Sequence, residues 1–400
     1  MRGENSTISL ADGGEYGVGV YMGEGVKGAS LTKTVIKGGG KGVGVYAVGG
    51  ENLVMRLEGV KISEVGAGVY VKRGKSLTIG GENSTISLAS GGRYGVYMGD
   101  GVERAELTGT VIMGQDKGVG VYAVGGKSLM MTLDDVTVEG VQMGVYVKRG
   151  KSLTIGGENS TISLASGGRY GVYMGDKVES ASLMGTRIMG GGSGSMGVSA
   201  LGGENLVMRL TDVTIEGVGA GVYMGRGKNL TMTGGSTINF MGDGVGVMVG
   251  GLVKSASLTK TVITGKGSGV GSMGVSAVGG EMLEMTLDDV TVEGVQMGVV
   301  VGKGKNLTIR LTDVKISKVG AGVRVMGGKS LMMTGGSVTE FTGYGVYVGD
   351  GVESAELTRT VIKGKGSGMG TGVIMESSGK MTLENVTISK VQTGVYAENG

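Results

Sequence analysis

The stretch from Lys72 to Asp100, KRGKSLTIGGENSTISLASGGRYGVYMGD, recurs letter for letter at Lys148–Asp176, an offset of 76 residues. Three short runs inside it alternate apolar with polar residues, Leu77/Ile79, Ile86/Leu88 and Val96/Met98, and Gly80-Gly81 and Gly91-Gly92 separate them. Alternation of period two between glycine corners predicts strand, turn, strand, turn, strand. A unit this small cannot bury its apolar face alone, so it has to stack on copies of itself. The chain is therefore read as a repeat protein in which each coil lies on the next.

A valine that follows a glycine marks the register. It falls at Val20, Val45, Val69, Val96, Val121, Val145, Val172, Val198, Val222, Val247, Val275, Val299, Val323, Val346, Val373 and Val395. These sixteen marks are spaced by 22 to 28 residues and average 25, so extra residues are confined to turns such as Gly190–Gly197 and Gly265–Gly274. Three flavours of coil follow one another, carrying GENSTISL or GGSTINF, then ASLTKTVI and its variants, then LDDVTV and its variants. The third flavour appears twice running at Met285–Val299 and Ile309–Val323, so a triplet is the unit of duplication and it slips once.

The expected fold is all-β: a right-handed single-stranded parallel β-helix (β-solenoid) of about 16 coils of ~25 residues, three strands per coil, forming one domain over residues 1–400 with no separate cap or barrel. Handedness follows from the crossover rule for parallel strands, and a left-handed hexapeptide helix would need coils of about 18 residues. Strand spacing of about 4.7–4.9 Å would make the stack roughly 75 Å long. Valine, isoleucine, leucine and methionine form the inward columns, with Met98, Met113 and Met174 as flexible fillers. Glycine holds the corners, where positive φ is needed. The 90 glycines follow no Gly-X-Y period and proline is absent, which excludes collagen. With 40% hydrophobic residues and a mean hydropathy of +0.17 the chain has enough apolar surface to fold. The absence of proline, tryptophan and histidine over 400 residues fits a consensus-like or idealised sequence, or an excised segment.

The missing residue types also exclude chemistry. Without cysteine there is no disulfide, thiolate metal site or cysteine nucleophile, and without histidine there is no histidine-assisted triad or His-rich zinc site. No cofactor and no metal is expected. The net charge of +3 is interspersed, with no basic block for nucleic acid, and no apolar run suits a signal peptide or a membrane span. Asp134-Asp135, Asp288-Asp289, Asp212 and Asp313 are the carboxylates to weigh for glycosidic chemistry. Asp135 and Asp212 should stand about 14 Å apart, too far for acid and base work on one bond. Asp289 and Asp313 fall in consecutive coils, about 5 Å apart, yet occupy a position that Gly59 and Asn385 fill in sister coils. The turn reading is preferred. Gly-Lys-Ser at Gly74, Gly126, Gly150 and Gly328 lacks the upstream glycine and following helix of a phosphate loop and reads as a turn. GxGxxG at Gly192–Gly197 and Gly269–Gly274 carries little in so glycine-rich a chain, no repeated calcium-binding nonapeptide occurs, and the N-x-S/T sequons at Asn5, Asn83, Asn159, Asn229, Asn306 and Asn385 are given no weight.

Tyrosine supplies the candidate binding column. Tyr21, Tyr46, Tyr70, Tyr97, Tyr122, Tyr146 and Tyr173 follow the register valine in seven successive coils, and Tyr223, Tyr347 and Tyr396 resume the column. Flanked by inward residues, they should point outward as a ladder able to grip an extended glycan or a protein, with Tyr70, Tyr97, Tyr122, Tyr146 and Tyr173 as the binding residues. The plainer explanation is cross-coil stacking and β propensity. It is preferred because Ser199, Met248, Ser276, Val300, Arg324 and Ile374 interrupt the column without compensation.

The phrases GENSTISL, GVYMGDGVE, SASLTKTVI, GVGVYAVGG and VTISKV resemble passenger domains of bacterial autotransporters, most closely those of the Bartonella kind, over nearly the whole chain. The resemblance implies a right-handed parallel β-helix that a C-terminal barrel carries across the outer membrane, to be displayed or released to contact host cells. It implies a secreted or bacterial cell-surface location and a host-cell surface protein or glycan as partner. The signal peptide and barrel of that family have no counterpart here. Three functional readings follow: a non-enzymatic passenger or scaffold for display and contact, a polysaccharide- or protein-binding module using the tyrosine ladder, and, least favoured, a polysaccharide-cleaving enzyme of the pectate-lyase shape. Uncapped strand edges in the first coil and at Gly394–Gly400 lead us to expect end-to-end self-association.

Overall fold

The computed structural model describes residues 1–11, 17–266, 270–366 and 368–398. Gly269 of the second GxGxxG motif, part of the Gly265–Gly274 insertion, part of the first coil and the last two residues of Gly394–Gly400 lie outside these. The described residues contain strands and no helix, so none has a helix long and apolar enough to cross a membrane. They form an all-β parallel β-helix that divides into two compact units, Met1–Gly203 and Glu204–Gly400.

In the first unit each register valine pairs with its successor, Val20 with Val45, Val45 with Val69, Val69 with Val96, and onward through Val121, Val145 and Val172 to Val198. The pairings are parallel, so each paired strand residue has its equivalent directly above it, and the bulges between paired runs absorb the differences in coil length. A single coil shows how three runs arise. Val54–Glu58 alternates exposed with buried residues and puts Met55 and Leu57 inside; Lys61–Val65 puts Ile62 and Val65 inside; Ala67 onward puts Val69 and Val71 inside. Each such side chain, fully buried, contributes roughly 1.5–3 kcal/mol, and it does so only because the next coil covers it.

Three devices fix the corners. Ahead of the second run a serine or threonine is buried, as at Ser84, Thr110 and Ser160. Its hydroxyl donates to a backbone carbonyl on the same corner, Ser84 to Gly80 and Thr110 to Thr108, and Ser84 Oγ also accepts from the Gly59 N–H one coil away at 3.0 Å. The same corner position is held by Val60 and Val136 in other coils, and the residue before it lies in the left-handed region, Lys33 at φ 47°, Gly59 at 60°, Gly109 at 55° and Asp135 at 51°. Its N–H donates to the following coil, Lys33 to the Glu58 carbonyl at 2.7 Å and Asp135 to that of Gly156 at 3.1 Å. The third device is the glycine before each register valine. Gly95 has no positive φ; a Cβ there would overlap the Ile112 side chain and the Gly120 carbonyl. Space, not backbone conformation, reserves that column for glycine, whereas corner glycines such as Gly81 at φ 81° and Gly91 at 77° adopt the positive φ expected of them.

Three expectations are corrected. Met98 and Met174 are buried, but Met113 is half-buried on the outer face, because Ile112 takes the inward position between Ile86 and Val138. Gly74-Lys75-Ser76 and Gly150-Lys151-Ser152 lie within the continuous strands Ala67–Gly80 and Met143–Gly156, while Gly126-Lys127-Ser128 enters a turn and Gly328 closes a strand ahead of a bend at Lys329. Gly190–Gly197 is likewise extended, within Arg187–Ala200.

The second unit repeats these rules. Val222 pairs with Val247, and the register passes through Val275, Val299, Val323, Val346 and Val373 to Val395. The two consecutive third-flavour coils stack without dislocation, Met285 on Ile309 and Val292 on Ile316. Phe240 and Phe341 are fully buried in its core.

Candidate functional site: the tyrosine ridge

Within the first unit the in-register pairing of tyrosine with tyrosine makes a continuous ridge. Centroid distances run 5.8 Å from Tyr21 to Tyr46, 5.1 Å to Tyr70, 4.1 Å to Tyr97, 5.6 Å to Tyr122, 5.0 Å to Tyr146 and 4.4 Å to Tyr173. Interplanar angles stay between 7° and 14°. All five sequence-predicted binding residues, Tyr70, Tyr97, Tyr122, Tyr146 and Tyr173, stand together in it, each pointing outward and half-buried. Parallel rings this close cover one another's faces. What the ridge offers along its length is ring edges and a row of phenol hydroxyls; Tyr21, at 61% exposure, is the most open ring.

Mutual burial shows in the titration of the phenols. Desolvation by the neighbouring rings raises the pKa of Tyr70, and a hydrogen bond with Tyr97 adds to it. Burial raises Tyr122, Tyr146 and Tyr173 as well. These four phenols stay neutral at physiological pH.

A second set of rings leans on the first. Tyr94 lies 5.2 Å from both Tyr97 and Tyr122, tilted by 56° and 50°, and Tyr170 lies 5.0 Å from Tyr173 at 56°. Strict alternation would put residues three apart on opposite faces. The consecutive buried pair Gly95-Val96 breaks the alternation, so Tyr94 and Tyr97 emerge on the same side. Sequence reasoning missed Tyr94 and Tyr170; the signal was the repeated SGGRY at residues 90–94 and 166–170.

Beside the ridge runs a groove of about 830 Å³. Its floor is the short turn Gly66-Ala67, and its walls are the longer turns of the coils on either side, carrying Lys41 on one and Arg93 and Tyr94 on the other. Backbone bonds hold the three turns in place: Gly66 N–H donates to Gly42 at 2.8 Å and Arg93 N–H donates to Gly66 at 2.7 Å. Tyr46, Tyr70 and Ser90 also line it.

In the second unit the column reads as predicted, Tyr223 on Met248, Met248 on Ser276, Ser276 on Val300, Val300 on Arg324, Arg324 on Tyr347, Tyr347 on Ile374 and Ile374 on Tyr396. Arg324 lies 5.4 Å over the Tyr347 ring, whose hydroxyl donates to Glu376 and is pushed up to about 12 chiefly by that bond.

The carboxylates take the corner position. Asp135, Asp212, Asp289, Asp313 and Asn385 all have φ between 50° and 53°, and the register puts Asp289 and Asp313 in consecutive coils. Asp289 lies 3.7 Å from the Lys315 ammonium, and Asp135 Oδ1 accepts from the Asn159 N–H at 3.0 Å. The chain matches no protein-family model and no curated protein.

Proposed function

We propose that the chain is a non-enzymatic β-helical scaffold for contact, and that the tyrosine ridge of its first unit is the contact face for an extended glycan or protein on another surface. The observation that carries this reading is the unbroken run of seven stacked tyrosines bordered by a groove. A parallel β-helix holds such a row at fixed spacing without a ligand, so a partner pays little ordering cost to meet it. Resemblance to autotransporter passengers supports a secreted or cell-surface setting. The repeats are uniform where a catalytic site would be unique, and the aspartates serve corners.

Binding to a glycan array and to cultured cells, compared between the native chain and the Tyr122→Ala/Tyr146→Ala double variant, tests the proposal. Loss of binding supports it; native-level binding by the double variant overturns the ridge as contact face. Release of uronate from pectic substrates that disappears with Asp289→Ala or Asp313→Ala would replace the scaffold reading with an enzymatic one.

A further inference from the structure

The groove has a chemistry of its own. Its described lining holds two cations, Lys41 and Arg93, three phenols and a serine, and no carboxylate. Among the described residues the Arg93 guanidinium has neither an ion-pair partner nor a ring contact, while its backbone N–H pins the loop to Gly66. A planar guanidinium carried at the rim of an aromatic groove matches a carboxylate in a two-pronged bond. Phenol and serine hydroxyls suit the hydroxyls of a sugar ring.

We infer that the groove formed by Lys41, Ala67, Arg93 and Tyr94 binds a uronic-acid unit of an acidic polysaccharide. The inference rests on the ridge being a contact face and names its ligand class.

The chain carries its own control three coils on. There Lys117, Arg169, Tyr170, Tyr122 and Tyr146 repeat the walls, but the floor residue paired beneath the tyrosine is Met143 where the first copy has Ala67. Arg169 lies 5.6 Å over the ring of Tyr170. A longer floor side chain and an arginine already lying on a ring make the second copy the poorer site.

Calorimetric titration with hyaluronan oligosaccharides, with the same oligosaccharides after reduction of their carboxylates to alcohols, and with dextran sulfate tests the inference. The native chain is expected to bind the uronate form at least about tenfold more tightly than the reduced form, one charge-assisted bond being enough for that ratio. Arg93→Gln should remove this preference. Ala67→Met, a residue the fold already accepts at position 143, should weaken uronate binding about tenfold with an unchanged circular dichroism spectrum. Arg169→Gln should change little. Equal binding of the two hyaluronan forms, or native affinity in both Arg93→Gln and Ala67→Met, overturns the inference. Equal, Arg93-dependent binding of dextran sulfate also overturns it, in favour of anions in general. If hyaluronan does not bind while another glycan or a cell surface does so through Tyr122 and Tyr146, the uronate site fails and the contact face stands. If nothing binds, both fall.

Discussion

The rings of Tyr70 and Tyr97 lie 4.1 Å apart and 7° from parallel, the tightest contact in the ridge. Aromatic pairs are worth about 0.5–1.5 kcal/mol beyond their buried area. A double-mutant cycle with Tyr70→Leu and Tyr97→Leu, followed by denaturant unfolding, should give a coupling in that range. A coupling of zero would mean the stack adds no stability.

Stability should fall in strong alkali. Folding raises the pKa of Tyr70, Tyr122, Tyr146 and Tyr173, so the folded state holds these protons more tightly than the unfolded chain does. The stabilisation is fully present below the ordinary phenol value of about 10 and is lost as pH climbs from there through the folded values. Unfolding free energies at about pH 9 and about pH 11.5 should therefore differ, and Tyr70→Phe should lessen the difference.

Tyr347 titrates near 12 because its hydroxyl donates to Glu376, and an ionised phenol would lose that bond and face the carboxylate. Glu376→Gln should bring the titration down toward the usual value of about 10, read from the ring carbon shift in a labelled sample. An unmoved titration would mean that burial alone sets it.

Two glycine-like positions should respond oppositely to side chains. Gly95→Ala forces a methyl against Ile112 and the Gly120 carbonyl and should cost about 1–3 kcal/mol. Asp135→Gly, at φ 51° on the corner, should be neutral or stabilising, whereas Asp135→Val should cost on the order of 1–2 kcal/mol, as a branched residue in the left-handed region does. Thermal unfolding of the three variants checks the order.

The columns were legible because one coil predicts the next: once Val69, Val96 and Val121 are aligned, Tyr70, Tyr97 and Tyr122 must align beside them. What could not be read was which residue turns inward where alternation breaks. Val111-Ile112-Met113 are all apolar, and only the isoleucine above and the valine below decide that Ile112 is the inward one. Gly95-Val96 both turn inward, which moved Tyr94 beside Tyr97 and hid the second set of rings. The corner tolerates Lys33, Lys260 and Arg359 at positive φ because its N–H is fixed by the following coil, a constraint that residue preferences alone do not carry.

The exact identity of Lys72–Asp100 and Lys148–Asp176 has a genetic corollary. Misaligned copies of such a gene can recombine anywhere along the shared segment and gain or lose three coils with no seam, since the strand that ends one copy already matches the strand that begins the other. The tyrosine ridge would lengthen or shorten by three rings in the same event, so its reach can change in one generation while the fold does not.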